Sequence, residues 1–113
     1  MKTMDEAIIR SVDRRENGLT IRLYIPDELH WFRGHFPDRP VLPGVVQTHW
    51  AIGYGVRYLN LPDRIRKLEV IKFKNLIRPD MEITLQLDIK ANGKLTFSYR
   101  HNSDEMSSGR VVY

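Results

Sequence analysis

Helical periodicity occurs in a single stretch of this 113-residue chain, from Gly44 to about Leu59, and the apolar segments after it read only as strands, the clearest of them alternating at period two. That order constrains the fold more than any other feature. A lone helix among strand-like segments can bury its apolar surface only against a sheet. A run of hairpins after it points to an antiparallel sheet wrapped on the helix, an α+β arrangement. Pro43 suits the first helical position, where its missing N–H removes no hydrogen bond. Apolar residues from Val45 to Leu59 cover most of the circumference, which predicts a helix buried nearly all round. Gly53 and Gly55 each weaken the helix by about 1 kcal/mol relative to alanine. Their expected use is close packing of the sheet against the helix backbone. Leu61-Pro62-Asp63 ends the element.

Ahead of the helix, Ile8 to Val12 is a short apolar stretch, and Asn17-Gly18 is a favoured hairpin turn pair. Leu19, Ile21, Leu23 and Ile25 then alternate with polar neighbours as a strand with one buried face. Residues 27–42 form a long, aromatic-rich connection, and connections of that length in small domains usually carry function. After the helix, Ile65 to Ile77 is an apolar-rich strand region. Met81 to Ala91 alternates without a break, and Asn92-Gly93 turns it into Leu95, Phe97, Tyr99 and His101. A last strand runs from about Met106 to Tyr113. No linker, repeat or low-complexity tract divides residues 1–113, so a single domain is expected.

Composition removes several classes of function. The chain has no cysteine, which excludes disulfides, thiolate catalysis and cysteine-bound zinc. Its four histidines lack the spacing of a metal site, so no metal is expected. No apolar run approaches the ~20 residues of a membrane span, and residues 1–10 lack a secretory apolar core. A cytoplasmic protein is expected. The net charge of +4 favours acidic partners, but no nucleic-acid module is recognisable.

The chemistry concentrates between residues 35 and 49, His-Phe-Pro-Asp-Arg-Pro-Val-Leu-Pro-Gly-Val-Val-Gln-Thr-His. His35 stands in a proline-stiffened loop, Pro43-Gly44 opens the helix, and His49 follows within it. Removing a proton beside a carbonyl needs a base titrating near neutral pH and donors for the developing oxyanion. A histidine supplies the first and a helix N-terminus the second. Gln47 and Thr48 are polar neighbours of His49, and at most one of them shares its face. Asp38 either orients His35 or simply forms a surface turn. His30 and His101 carry no motif.

Gly34-His35-Phe36-Pro37 followed by Pro40-Val41-Leu42-Pro43-Gly44-Val45 resembles the signature of the beta-hydroxyacyl-acyl-carrier-protein dehydratases of the hot-dog fold. Downstream, the run from Phe73 to Ile83 looks like that family's strand, turn and next strand. The short spacing and Val45-Val46-Gln47 after Pro-Gly are closest to small dehydratases of aryl-polyene clusters. The resemblance implies a hot-dog fold, with the antiparallel sheet wrapped around one long central helix. It implies a homodimer or higher hot-dog oligomer with an acyl tunnel along the interface. The substrate would ride on the phosphopantetheine of an acyl carrier protein, with no cofactor of the enzyme's own. By the same resemblance His35 takes the α-proton and the Gly44 N–H polarises the thioester carbonyl. A helical acid from the partner subunit handles the departing hydroxyl. That acid's position is occupied here by His49, a departure from the family pattern.

Phe36, Pro43, Val45 and Trp50 are the expected acyl-site residues, and Arg33 and Arg39 the expected contacts for an acidic carrier protein or a phosphate. His49 has three open readings: a protonated acid, a neutral residue positioning water, or a core histidine satisfied by one partner. The corresponding functions are a dehydratase producing trans-2-enoyl thioesters, or a non-catalytic acyl-binding or partner subunit. A hot-dog thioesterase is disfavoured, because no Asp or Glu lies between Gly44 and Leu59.

Overall fold

The computed structural model of the protein describes residues 4–32 and 40–113. Six strands form one sheet: β1 (Ile8–Arg15), β2 (Gly18–Tyr24), β3 (Lys67–Phe73), β4 (Glu82–Ile89), β5 (Leu95–His101) and β6 (Asp104–Val112). The helix α1 (Gly44–Leu59) lies between β2 and β3 in the chain, and a short 3-10 turn spans His30–Phe32. The spatial order is β1-β2-β4-β5-β6-β3, with every neighbouring pair antiparallel. The chain therefore crosses under the sheet through α1 to reach the far edge as β3, then returns to β2's side as β4.

Period-two alternation puts one face of each central strand into the core. Leu19, Ile21 and Leu23 of β2, Leu85 and Leu87 of β4, and Leu95 and Tyr99 of β5 are fully buried. Register aligns them in rows across the sheet: Ile21 faces Leu85, Leu85 faces Tyr99, and Tyr99 faces Ser107. Val46, Trp50, Ala51 and Tyr54 of α1 close this layer from the other side. At ~25 cal/mol per Å2 of apolar surface removed from water, this layer is the main source of stability.

Several local expectations change. The first hairpin turns at Glu16 and Asn17, because Arg15 pairs with Gly18. Neither Asn17 nor Gly18 adopts positive φ. Gly18 is required for a different reason: a Cβ there would collide with the Leu87 carbonyl of the neighbouring strand. Gly93, at φ 83, does use its left-handed freedom to turn β4 into β5. The strand expected from Ile65 to Ile77 is shorter, because the Lys74 and Asn75 amides both leave the ladder for the Met106 carbonyl. Gly55 packs closely against Leu61 and Leu95 as expected, whereas the position of a Cβ on Gly53 is open space.

The largest correction concerns the helix. It is not buried all round. Val45, His49 and Val56 are exposed and Ile52 is partly so, at spacings that place all four on one stripe. The sheet is one layer thick and can cover only one side of α1. Among the described residues the apolar stripe on the other side is left without a cover.

A buried polar network fixes the helix against the sheet. Ser107 Oγ donates to Gln47 Oε1 at 2.6 Å, and Gln47 Nε2 donates to the Leu42 carbonyl at 3.1 Å. Tyr99 Oη donates to the Gln47 carbonyl at 2.6 Å. Gln47 and Ser107 are almost wholly excluded from water, so each unpaired group left by a substitution would cost ~1–3 kcal/mol. Gln47→Leu keeps the volume but strands Ser107 and the Leu42 carbonyl. It is expected to lower stability by about 2–3 kcal/mol, measured by urea denaturation, with Ser107→Ala showing the smaller loss.

Candidate active site

Pro43 is the N-cap of α1, with φ −61 and ψ 145, and not its first helical residue. Its extended ψ keeps it outside the helix and makes Gly44 the first helical position. Proline has no side-chain acceptor and so supplies no cap of its own, and no acidic residue lies in the first turn. Among the described residues the Gly44 and Val45 amides have no backbone acceptor, while Val46 and Gln47 both donate to the Pro43 carbonyl. Among the described residues the helix thus opens with free donors and an uncompensated partial positive charge, suited to a developing oxyanion.

This end of the helix borders an open, mostly apolar groove of about 370 Å3. Gly44, Val45, Thr48, His49 and Ile52 form its helical wall, and Leu68, Ile71 and Phe73 of β3 form the other. The β3 wall depends on a bulge. Register shifts between Glu69 and Lys72, where Val70 has φ 53. One extra residue resets the alternation, so Leu68, Ile71 and Phe73, at uneven spacing, share the helix side. Ile71 reaches that position only because its neighbour across the ladder is Gly109; a Cβ there would collide with Ile71 and with the Phe97 ring. The Phe73 ring lies against Gly44, where a Cβ would come within 2.5 Å of it. Glycine at position 44 therefore gives the helix end a close approach to whatever fills the groove.

His49 is the one titratable side chain of the groove among the described residues. It is exposed and carries no hydrogen bond there, so the reading of it as a satisfied core histidine does not hold. Thr48 joins it in the groove, with its hydroxyl donating to the Gly44 carbonyl at 3.2 Å. Gln47 points the other way, into the buried network. Pro43 borders the site as the cap, and Val45 is its most exposed apolar side chain, at 77%. Trp50, expected against the acyl chain, is instead buried, with its indole donating to the Asp5 carbonyl at 3.3 Å. Arg33, His35, Phe36, Asp38 and Arg39 lie outside the described residues. Leu68 and Ile71 escaped the sequence reading, because a bulged strand does not announce its inward face by alternation.

The sequence model of the ApeI-like family, described as ApeI dehydratase, matches residues 11–110. The chain belongs to the ApeI-like dehydratase family. Among solved structures, the ApeI:P dehydratase heterocomplex from Xenorhabdus doucetiae has a chain 28% identical to this one. The TM-score is 0.84, with 95% of this chain and 96% of that chain covered. An uncharacterized protein from Erwinia carotovora subsp. atroseptica is 31% identical, with a TM-score of 0.75 over 96% and 93% of the two chains. The curated relatives include the 3-hydroxyacyl-[acyl-carrier-protein] dehydratase FabZ of Natranaerobius thermophilus. It is 32% identical over 52% of this chain and 46% of its own length. The FabZ of Lactococcus lactis subsp. lactis is 30% identical over 76% of this chain and 65% of that protein. The chain spans about half the length of the first of these relatives. The match over α1 and the sheet confirms the hot-dog fold. No helix is long and apolar enough to cross a membrane among the described residues.

The groove's outer wall is held electrostatically. Glu69 of β3 meets Arg110 at 2.8 Å, Lys94 at 3.1 Å and Lys67 at 3.3 Å. The hydrogen bonds from Lys94, then Lys67 and Arg110, bring its carboxyl down to about 2 from an ordinary 4.5. A depressed carboxylate stabilises the fold fully above the ordinary value and loses that contribution as pH falls through the folded-state value. Acid between about pH 4.5 and 2 is therefore expected to loosen β3. Glu69→Gln should flatten stability across that window, measured by thermal melting at stepped pH.

Proposed function

We propose that this protein removes water from 3-hydroxyacyl thioesters carried by an acyl carrier protein, yielding the trans-2-enoyl thioester. The observation that carries this reading is the uncapped helix N-terminus at Gly44 opening into an apolar groove that holds His49. The groove suits an acyl chain, and the free amides suit the thioester oxygen as negative charge develops on it. The likeness to FabZ dehydratases supports the substrate class.

The chemistry follows from residue types. His35, placed by its motif, takes the α-proton while the Gly44 amide stabilises the enolate-like oxyanion. His49 meets the 3-hydroxyl as it leaves. No cofactor of the protein's own is required, since the acyl group arrives on the carrier's phosphopantetheine. Phe36, Pro43 and Val45 line the acyl path, and Arg33 and Arg39 flank the motif as cations for the acidic carrier. The work is assigned to the cytoplasm.

Assembly completes the site. Beside the uncovered stripe of α1, Leu68 and Phe73 on the helix side of the edge strand β3 are also exposed. Together they form a contiguous apolar face bordered by a free sheet edge. Exposed patches of that kind mark interfaces, and unpaired edges invite a further strand. A second hot-dog chain on this face would roof the groove into a tunnel. A homodimer is the simpler assembly. A heterodimer is favoured by one specific observation: position 49 is a histidine, so two identical chains would bring no helical carboxylate, whereas a different hot-dog chain could. The structural neighbour from Xenorhabdus doucetiae is itself part of a heterocomplex.

Two outcomes are expected. With a 3-hydroxyacyl carrier-protein thioester as substrate, enoyl absorbance rises, and His35→Ala slows it by about 10²–10⁴-fold. Absence of turnover by the purified protein, together with turnover once a second hot-dog subunit is added, would select the heteromeric reading. Val45→Asp, which puts a charge into the uncovered stripe, is expected to shift the protein to monomer in light-scattering chromatography while its circular dichroism stays unchanged.

A further inference from the structure

Next to the groove lies a much smaller cleft, about 80 Å3, lined by Glu6, His49, Trp50, Gly53, Tyr54 and Arg57. His49 borders both spaces. An imidazole has two ring nitrogens, and the proton on one is set by the hydrogen bond the other makes. A histidine on the ridge between groove and cleft can address a substrate with one nitrogen and a positioning group with the other.

The cleft contains such a group, and the fold holds it there. The Asp5 carbonyl accepts from two indoles, Trp31 Nε1 at 2.7 Å and Trp50 Nε1 at 3.3 Å. The Met4 carbonyl accepts the His30 amide at 2.8 Å. Ala7, on the other side of Glu6, is buried. The backbone on both sides of Glu6 is thus pinned across α1, and the Glu6 side chain lines the cleft together with His49. Gly53, one turn after His49, keeps the cleft open, since a Cβ there would occupy otherwise empty space. Its volume is the share of about two to three waters. Arg57 comes within 3.6 Å of the Glu6 carboxylate without a hydrogen bond, so among the described residues those oxygens remain free to accept.

We propose that Glu6 is the positioning carboxylate of His49, accepting the N–H turned away from the groove either directly or through one water in the cleft. This rests on the dehydratase reading. Glu6 and His49 together would then perform the task that the family resemblance assigns to one helical acid. In the reaction the imidazolium gives its groove-side proton to the 3-hydroxyl and the carbon–oxygen bond breaks, releasing water. The electron pair of the broken α-carbon–hydrogen bond forms the double bond. The proton held by the base returns to His49 through solvent, so no further reactant is consumed. Glu6, from the N-terminal segment, and Arg57 and Tyr54, from the same helix as His49, line the cleft with it. Burial pushes the Tyr54 phenol up to about 12, so it stays neutral. The β3 wall presents only Leu68, Ile71 and Phe73.

The test has two arms. In the intact protein, 15N spectra of the His49 ring are compared with those of Glu6→Ala at a pH where the ring is neutral. A changed tautomer ratio is expected, and unchanged ring signals overturn the proposal whether or not the protein turns over substrate. In the dehydration assay, Glu6→Ala should lower kcat about tenfold with KM within about twofold, the signature of an interaction made in the transition state. In a His49→Ala background the same substitution should cost less than about twofold, because coupled residues are not additive. An equal loss in both backgrounds would show that Glu6 acts through something other than His49 and would end the proposal.

Discussion

The buried side chain of Gln47 is the joint on which the site depends. Its amide links three parts of the chain: the segment before the helix through the Leu42 carbonyl, the helix itself, and β6 through Ser107. Tyr99 adds β5 through the Gln47 carbonyl. Each bond is worth only ~1 kcal/mol net, but breaking one strands a buried group at greater cost. This asymmetry gives α1 a defined axial position on a layer of aliphatic side chains that would otherwise tolerate sliding. The free amides at Gly44 and the imidazole at His49 inherit their positions from it.

A one-layer sheet around one helix also leaves a face over. The covered side of α1 makes the core, and the opposite side carries Val45, His49, Ile52 and Val56 to the surface beside a free strand edge. The same geometric shortage produces the groove and the incentive to assemble. The bulge at Val70 and the glycine at 109 shape the β3 side of that groove. The ion cluster around Glu69 ties the wall to β5's end and β6.

Much of the fold was legible because its signals are local. Alternation in β2, β4 and β5 marks their buried faces without ambiguity, and the helix begins and ends where Pro43-Gly44 and Leu61-Pro62 place it. Signals dependent on a distant neighbour were not legible. Gly18 looked like a turn residue but serves a cross-strand approach to Leu87. Gln47 looked like a polar neighbour of His49 but is consumed by Ser107. Trp50 looked like tunnel wall but is bonded to Asp5, and nothing in the sequence joins Glu6 to His49.

The sequence by itself determined the chemistry at hand: two histidines, a helix start at Pro43-Gly44, and no carboxylate on the helix. Residue identity and short spacings fix these, and no folding can alter them. The tertiary structure decided which side of the helix is left uncovered, which strand faces it, and which carboxylate stands near His49. Those depend on strand order, on one bulged register and on a pair of indoles sharing a carbonyl. Such relations are made by contacts between residues far apart in the chain, and local periodicity carries no record of them.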